Sequence, residues 1–191
     1  MKKIIGVIAP ALELKMGVTG REKEVAETKA AEPLLAALGT AIGEMPGGVL
    51  ALSGQMGLQE VCRQAFLRSS KEHTLEYSFF SSRSALEKHG VKLSNRSEPL
   101  FIGGGKDSLA YYEAMIKASD AVIFAGGFYR AAAAGLVAFH AKGKKFGILE
   151  GAGNTPKALM EFLKAIGMPE SGRERLFYEK DPKTLLERIF S

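Results

Sequence analysis

Three glycine-rich stretches carry most of the chemistry this sequence could perform. Ser53-Gly54-Gln55-Met56-Gly57 follows the apolar run GVLAL and precedes a helical pattern that starts at Leu58. Gly103-Gly104-Gly105-Lys106-Asp107-Ser108 follows the short apolar piece Leu100 to Ile102. Ala125-Gly126-Gly127-Phe128 follows DAVIF and precedes an alanine-rich helix. A glycine turn between a strand and a helix bares the unpaired N–H groups of the helix start, where the macrodipole is positive, and that place holds anions. A side chain in the turn would keep a phosphate away from those amides. The candidate ligand-binding residues are therefore Ser53, Gly54, Gly57, Gly104, Gly105, Lys106, Gly126, Gly127, Phe128 and Arg130.

The side chains around these turns leave alternatives open. Ser53 either bonds a phosphate or ties its own loop; as a nucleophile it would need a base, and the sequence shows none nearby. Arg130, at an expected helix start, either clamps a phosphate with its planar fork or lies at a surface or interface. A cation there opposes the helix dipole unless an anion joins it. Lys106 could meet a phosphate, while Asp107 reads as a helix cap. Tyr111 and Tyr112 point differently on a helix, so at most one lines a cleft. Glu60 lies one turn into its helix and reads as solvent-facing, with a cleft-facing carboxylate as the alternative. His73, His89 and His140 share no metal-ligand spacing, so no metal site is expected. No catalytic residue is assigned, and the sequence does not decide between an enzyme and a binding protein.

Two familiar phosphate motifs fail. GGGKDS would need Gly at 100 and Ser or Thr at 107 to be a Walker A loop, and the chain has Leu100 and Asp107. The first strand is followed by Ala9-Pro10-Ala11 rather than G-x-G-x-x-G.

The elements that must position these turns alternate from end to end. Strands are expected at Lys2 to Ala9, Gly48 to Ser53, Thr74 to Phe80, Leu100 to Ile102, Asp120 to Ala125, Lys145 to Leu149 and Leu176 to Tyr178. Helices are expected at Arg21 to Leu38, where Pro33 kinks the helix or splits off its start and Gly39 ends it, then at Leu58 to Leu67, Ala85 to His89, Asp107 to Ala118 and Arg130 to Ala141. Two more follow: Thr155 to Ile166, capped by Thr155, and Pro182 to Ile189, capped by Asp181. Such alternation needs helical crossovers between parallel strands. The expected fold is α/β, a Rossmann-like three-layer α/β/α architecture with a doubly wound, mainly parallel sheet in a single domain over 1–191. Around the strand and short helix expected within it, the stretch Ser69 to Pro99 is the least regular and the most polar, a candidate to carry a variable loop or flap.

Composition narrows the class. The 191 residues are 46% hydrophobic and 25% charged, enough to bury a core without staples. The net charge of +5 permits an anionic partner, but apart from Lys142, Lys144 and Lys145 the basic residues are dispersed, which argues against nucleic acid. Cys62 is alone and admits no internal disulfide. The apolar start breaks at Pro10, and no stretch approaches the roughly 18 apolar residues of a membrane span, so a soluble cytoplasmic protein is expected.

Ala118-Ser119-Asp120-Ala121-Val122-Ile123-Phe124-Ala125-Gly126-Gly127 resembles the A-D-A-hydrophobic strand and P-G-G turn of the family once called lysine decarboxylase-like. That family includes the cytokinin-activating LOG phosphoribohydrolases of the SLOG superfamily. Gly48 to Leu58 resembles its glycine-rich strand and loop ending in G-L-M, and Asp181 to Leu186 its closing pattern. The resemblance implies a doubly wound fold, a nucleotide or ribose-phosphate ligand, and homodimers or larger assemblies. It also implies losses. Laid on Ala125, the motif P-G-G-x-G-T-x-x-E places Tyr129 at its last Gly, Arg130 at its Thr and Ala133 at its catalytic Glu. The catalytic Arg position holds Tyr111, while Met115 of the same helix pattern is kept. A carboxylate opposes the positive charge that builds on a sugar as an N-glycosidic bond breaks, and alanine cannot. The resemblance thus implies binding without the family hydrolysis. Open alternatives are a hydrolase or transferase with re-sited groups, a carrier like the molybdenum-cofactor carriers, and a nucleic-acid binder like the DNA-processing proteins of the superfamily. The sequence names no cofactor.

Overall fold

The apolar runs pair into one parallel sheet. A computed structural model describes residues 1–10, 26, 29–53, 57–70, 76–80, 83–88, 93–101, 108–127, 129–167 and 170–191. The strands are β1 Lys3–Ile8, β2 Gly48–Leu52, β3 Glu76–Phe80, β4 Ser97–Phe101, β5 Ala121–Phe124, β6 Lys145–Leu149 and β7 Leu176–Glu179. Their order across the sheet is β4-β3-β2-β1-β5-β6-β7, with every neighbouring pair parallel. The chain begins in the middle, winds out to β4, and returns to lay β5 on the other side of β1. That is a doubly wound sheet with its switch point between β1 and β5.

Helices cover both faces: α1 Glu32–Glu44, α2 Leu58–Ser69, α3 Arg83–Lys88, α4 Ser108–Ala118, α5 Tyr129–His140, α6 Thr155–Ala165, α7 Glu170–Arg173 and α8 Pro182–Phe190. Successive strand residues point to opposite faces, so the core divides in two. Ile5, Val7, Leu50, Leu52 and Ile123 pack under α1, α2 and α8 with Leu35, Leu38, Phe66 and Ile189. Ile8, Ala51, Val122, Phe124 and Ile148 pack under α4, α5 and α6 with Met115, Phe139 and Leu163. Every residue of β2 and β5 is buried, as a central parallel strand covered on both faces requires. The fold is a Rossmann-like three-layer α/β/α architecture.

The first helix starts at Glu32, beside Pro33, as one of the two expectations had it, and differs from expectation at its end. Pro33 stands in the opening turn of α1, where its missing N–H costs nothing, and the helix runs through Gly39 to Glu44. Gly39 is a notch in a helix crossing rather than a stop. A Cβ there would lie 2.1 Å from the Cys62 carbonyl oxygen, and one at Gly43 would lie 2.2 Å from Ser69 Oγ. Residues 21–25, 27 and 28 lie outside the described residues. The stretch Ser69 to Pro99 supplies β3 and α3, close to the strand and short helix expected there, and the start of β4. Its polar composition reflects the sheet margin, where β4 is an edge strand with half-exposed residues.

At α6 the cap residue is Asn154 rather than Thr155. Asp181 caps α8 as expected: its Oδ1 accepts from Thr184 N at 2.7 Å and from Thr184 Oγ1 at 2.8 Å. The backbone bond to Thr184, with the hydroxyl bond behind it, holds the Asp181 carboxyl below its ordinary value. Replacing Asp181 with alanine is expected to cost about 1 kcal/mol, as N-cap losses do, read by urea denaturation at pH 7. Because the folded pKa is depressed, the contribution is present above the unfolded value and is lost as pH falls through the folded one. Wild type and Asp181→Ala should therefore converge in stability at acid pH, below roughly pH 4.

The basic trio has a local explanation for one member. Lys144 Nζ donates to the Lys117 carbonyl at 3.0 Å and to that of Ser119, at the end of α4. Arg175 Nη1 donates to the carbonyls of Ala141 at 2.8 Å and Lys144 at 3.1 Å, beside the end of α5. These cations satisfy the orphan carbonyls and negative ends of two helices.

Candidate functional site

The carboxyl ends of β1, β2, β5 and β6 meet at one place. β1 leads into Ala9 and Pro10, which run between the turn after β2 and the turn after β5. On the β2 side, Gly57 caps the start of α2, the Leu58 amide donates to the Pro10 carbonyl at 3.0 Å, and Gln59 Nε2 donates to the Ala9 carbonyl at 3.2 Å. On the β5 side, a Cβ on Gly127 would lie 3.7 Å from Pro10 N, 3.8 Å from Ala9 C and 2.5 Å from Ala131 Cβ. The Ala125 amide extends the β1–β5 ladder by donating to the Ile8 carbonyl at 2.8 Å. Gly57 and Gly126–Gly127 thus flank the same dipeptide across the switch point.

The β6 side adds a turn not singled out from the sequence. Glu150-Gly151-Ala152-Gly153-Asn154 connects β6 to α6, and Gly151 and Gly153 have φ of 92° and 88°. The signal was present, since this too is a glycine pair between an apolar run and a Pro-initiated helix. Gly126, at φ 88°, approaches this turn so closely that a Cβ would lie 2.4 Å from the Ala152 carbonyl oxygen and 3.7 Å from Pro156 Cδ. Glycine is required there by both conformation and space.

The electrostatics of the rim are uneven. The first turns of α5 and α6 carry no acidic residue, so their positive ends are not offset by a local carboxylate. The start of α2 carries Glu60. The Glu60 side chain is 36% exposed and is tied to its own helix. Its carboxylate receives Arg63 Nε and Nη2, each at 2.7 Å, and Gln64 Nε2 at 2.7 Å. The Arg63 side chain is only 4% exposed, so the pair brings no net charge to the rim. Farther out, burial first, then the nearby Glu150 carboxylate and a hydrogen bond to it, push the Tyr178 hydroxyl above its ordinary value.

Of the expected ligand residues, Ser53, Gly57, Gly126 and Gly127 are brought together. Gln59 Nε2 reaches Ser53 Oγ at 3.4 Å. Arg130 lies in the first turn of α5, directly after this crevice; its side chain is outside the described residues. Gly54, Gly104, Gly105, Lys106 and Phe128 also fall outside them. The segment holding Gly104 to Lys106 leaves β4, an edge strand three places from β1. It returns at Ser108, the start of a helix whose Met115 packs 3.4 Å from the position of a Gly6 Cβ.

The positions that carry the resemblance belong to the scaffold. Asp120 is structural: its Oδ2 accepts the Ile4 amide at 2.8 Å and its own amide donates to the Ile4 carbonyl at 2.8 Å, fixing β5 to β1. Tyr112 and Met115 are buried in the core, with Tyr111 packed partly buried against them. Ala133 is half-buried on α5. Among the described residues no three His, Cys, Asp or Glu side chains gather to hold a metal ion, and no helix is long and apolar enough to cross a membrane. A groove of about 500 Å³ opens at the opposite, amino end of the sheet, lined by Lys3, Met45, Lys183 and Phe190 among others. No glycine lines it, so the carboxyl-end crevice is the better candidate despite that volume.

Sheet order and crevice define the class: a Rossmann-like α/β protein with its candidate site at the switch point. No protein-family model matches the chain, and no curated protein does. Among solved structures, the molybdenum cofactor binding protein from the phototrophic bacterium Rippkaea orientalis is similar over 100% of this chain and 96% of its own, at 18% identity and a TM-score of 0.64. The molybdenum cofactor carrier protein from Chlamydomonas reinhardtii matches over 100% and 97%, at 15% identity and a TM-score of 0.64. The structural-genomics target TM1055 matches over 98% of both chains, at 13% identity and a TM-score of 0.68. The likeness is one of fold.

Proposed function

We propose that this chain is a divergent LOG-like protein of the SLOG type that binds a phosphate-bearing small molecule, a nucleotide, ribose phosphate or related cofactor, and does not perform the family hydrolysis. The observation that carries this reading is the convergence of Gly57 and Gly126–Gly127 on Ala9-Pro10 at the switch point. Ser53, Gly57, Gly126, Gly127 and the start of α5 with Arg130 form the ligand rim, joined by the turn at 151–154. Gly54, Gly104, Gly105, Lys106 and Phe128 belong to the same proposed set. The domain acts in the cytoplasm as a homodimer or larger assembly, without nucleic acid or membrane. The full-length likeness to molybdenum cofactor proteins favours a second, narrower reading, in which the ligand is a phosphate-bearing pterin cofactor and the protein carries it.

The test is a thermal-shift series with nucleoside monophosphates and ribose 5-phosphate, beside an assay for adenine released from AMP. A ligand at about 100 times its Kd should add about 2.7 kcal/mol, which raises Tm by about 5–10 °C for a chain of this size. Stabilisation without adenine release is the expected result. Fast release of adenine would refute the loss of catalysis, and no stabilisation by any phosphate ester would refute the binding.

A further inference from the structure

Gln59 is fully buried in the first turn of α2, its carboxamide lying across the carboxyl ends of β1 and β2. Nε2 donates to the Ala9 carbonyl and reaches Ser53 Oγ. Among the described residues, Oε1 is buried without a hydrogen-bond partner. Turning the amide over does not cure this. The Ala9 carbonyl only accepts, so the nitrogen must face it, and the oxygen is left over in the native orientation.

A buried acceptor without a donor is costly, and an apolar side chain of the same size would remove the cost. The same carboxamide is held, through Nε2, on the Ala9-Pro10 segment that the glycine turns flank.

We infer that Gln59 is a specificity-determining residue of the crevice: its Oε1 accepts a hydrogen bond from an N–H or O–H of the ligand. The ligand is then a phosphate ester that also carries a donor on its sugar or ring, and phosphate alone is an incomplete ligand. This inference rests on the crevice being the ligand site.

Isothermal titration of the full chain, wild type and Gln59→Met, with AMP, IMP, GMP, 2′-deoxy-AMP, 3′-deoxy-AMP and inorganic phosphate tests it. In wild type, removal of one particular donor should weaken binding about five- to tenfold, the worth of one hydrogen bond. Gln59→Met should be indifferent to that donor yet bind inorganic phosphate as wild type does. Gln59→Leu repeats the series if the methionine variant melts early. A merely structural glutamine would change Tm and leave the donor preference intact. Wild type and variant ranking the probes alike would therefore overturn the inference, with an ordered water as the partner of Oε1. Binding of phosphate with no gain from any donor overturns it as well, while leaving the crevice in place. Failure of wild type to bind any of the six probes overturns the reading of the crevice, and this inference with it.

Discussion

Gly39→Ala should destabilise the protein by about 3 kcal/mol, although alanine is the better helix former by about 1 kcal/mol. The added methyl would sit 2.1 Å from the Cys62 carbonyl oxygen, 2.9 Å from its carbon and 3.1 Å from Ala65 Cβ. Two of these neighbours are backbone, so no rotamer change relieves the contact. The α1 and α2 axes must separate, and separation loosens Leu35, Leu38, Cys62 and Phe66, all fully buried in one core. Overpacking of this kind costs about 1–3 kcal/mol and more where backbone must move. For a chain of this length the cost should lower Tm by about 6–12 °C. Thermal and urea melts of Gly39→Ala beside an exposed control, Glu161→Ala on α6, would measure it. A Gly39→Ala protein as stable as wild type would show that the two helices cross farther apart than described.

Gly126→Ala should damage both stability and binding. The residue sits at φ 88°, where a non-glycine residue costs about 1–3 kcal/mol. Its Cβ would also lie 2.4 Å from the Ala152 carbonyl oxygen. The β5 and β6 turns must part, and the amides facing the crevice part with them. The expected outcome is a loss of about 3 kcal/mol in urea denaturation, with ligand stabilisation falling below detection in a thermal-shift assay. Gly143→Ala is the matched comparison. Gly143 has φ 71° but nothing within 4 Å of a Cβ, so it should lose only the conformational part and keep ligand stabilisation. Equal behaviour of the two variants would separate the crevice from any ligand role.

Much of the fold was legible because the strands are of a kind that announces itself. GVLAL and AVIF are short, apolar throughout and bounded by turn residues, and both became central strands buried on two faces. The sheet edge was harder to read. In β4, Ser97, Glu98 and Pro99 pair with only one neighbour, β3, so burial imposes less pattern on them. Gly39 misled for a different reason: a glycine inside an apolar helix has the same one-residue signature whether it ends the helix or admits another. Only the partner, here the Cys62 carbonyl, distinguishes the two, and it lies in another element.

The candidate site divides the same way. Glycine turns before helices are local features, so Gly57, Gly126 and Gly127 were visible in the chain, and Gly151 and Gly153 could have been. Gln59 was not visible, because its significance depends on Ala9, fifty residues away. The same holds for Glu60, whose apparent freedom ends at Arg63 one turn later.

Amide chemical-shift mapping tests the central claim most directly. The ¹⁵N-labelled protein would be titrated with AMP and ribose 5-phosphate, and the shifts followed residue by residue. The largest changes should fall on Gly57, Leu58, Gly126, Gly127 and Ala131 and saturate together, marking one anion-holding crevice. Changes confined to Lys3, Met45 and Phe190 at the amino end of the sheet, or no saturable change, would contradict it.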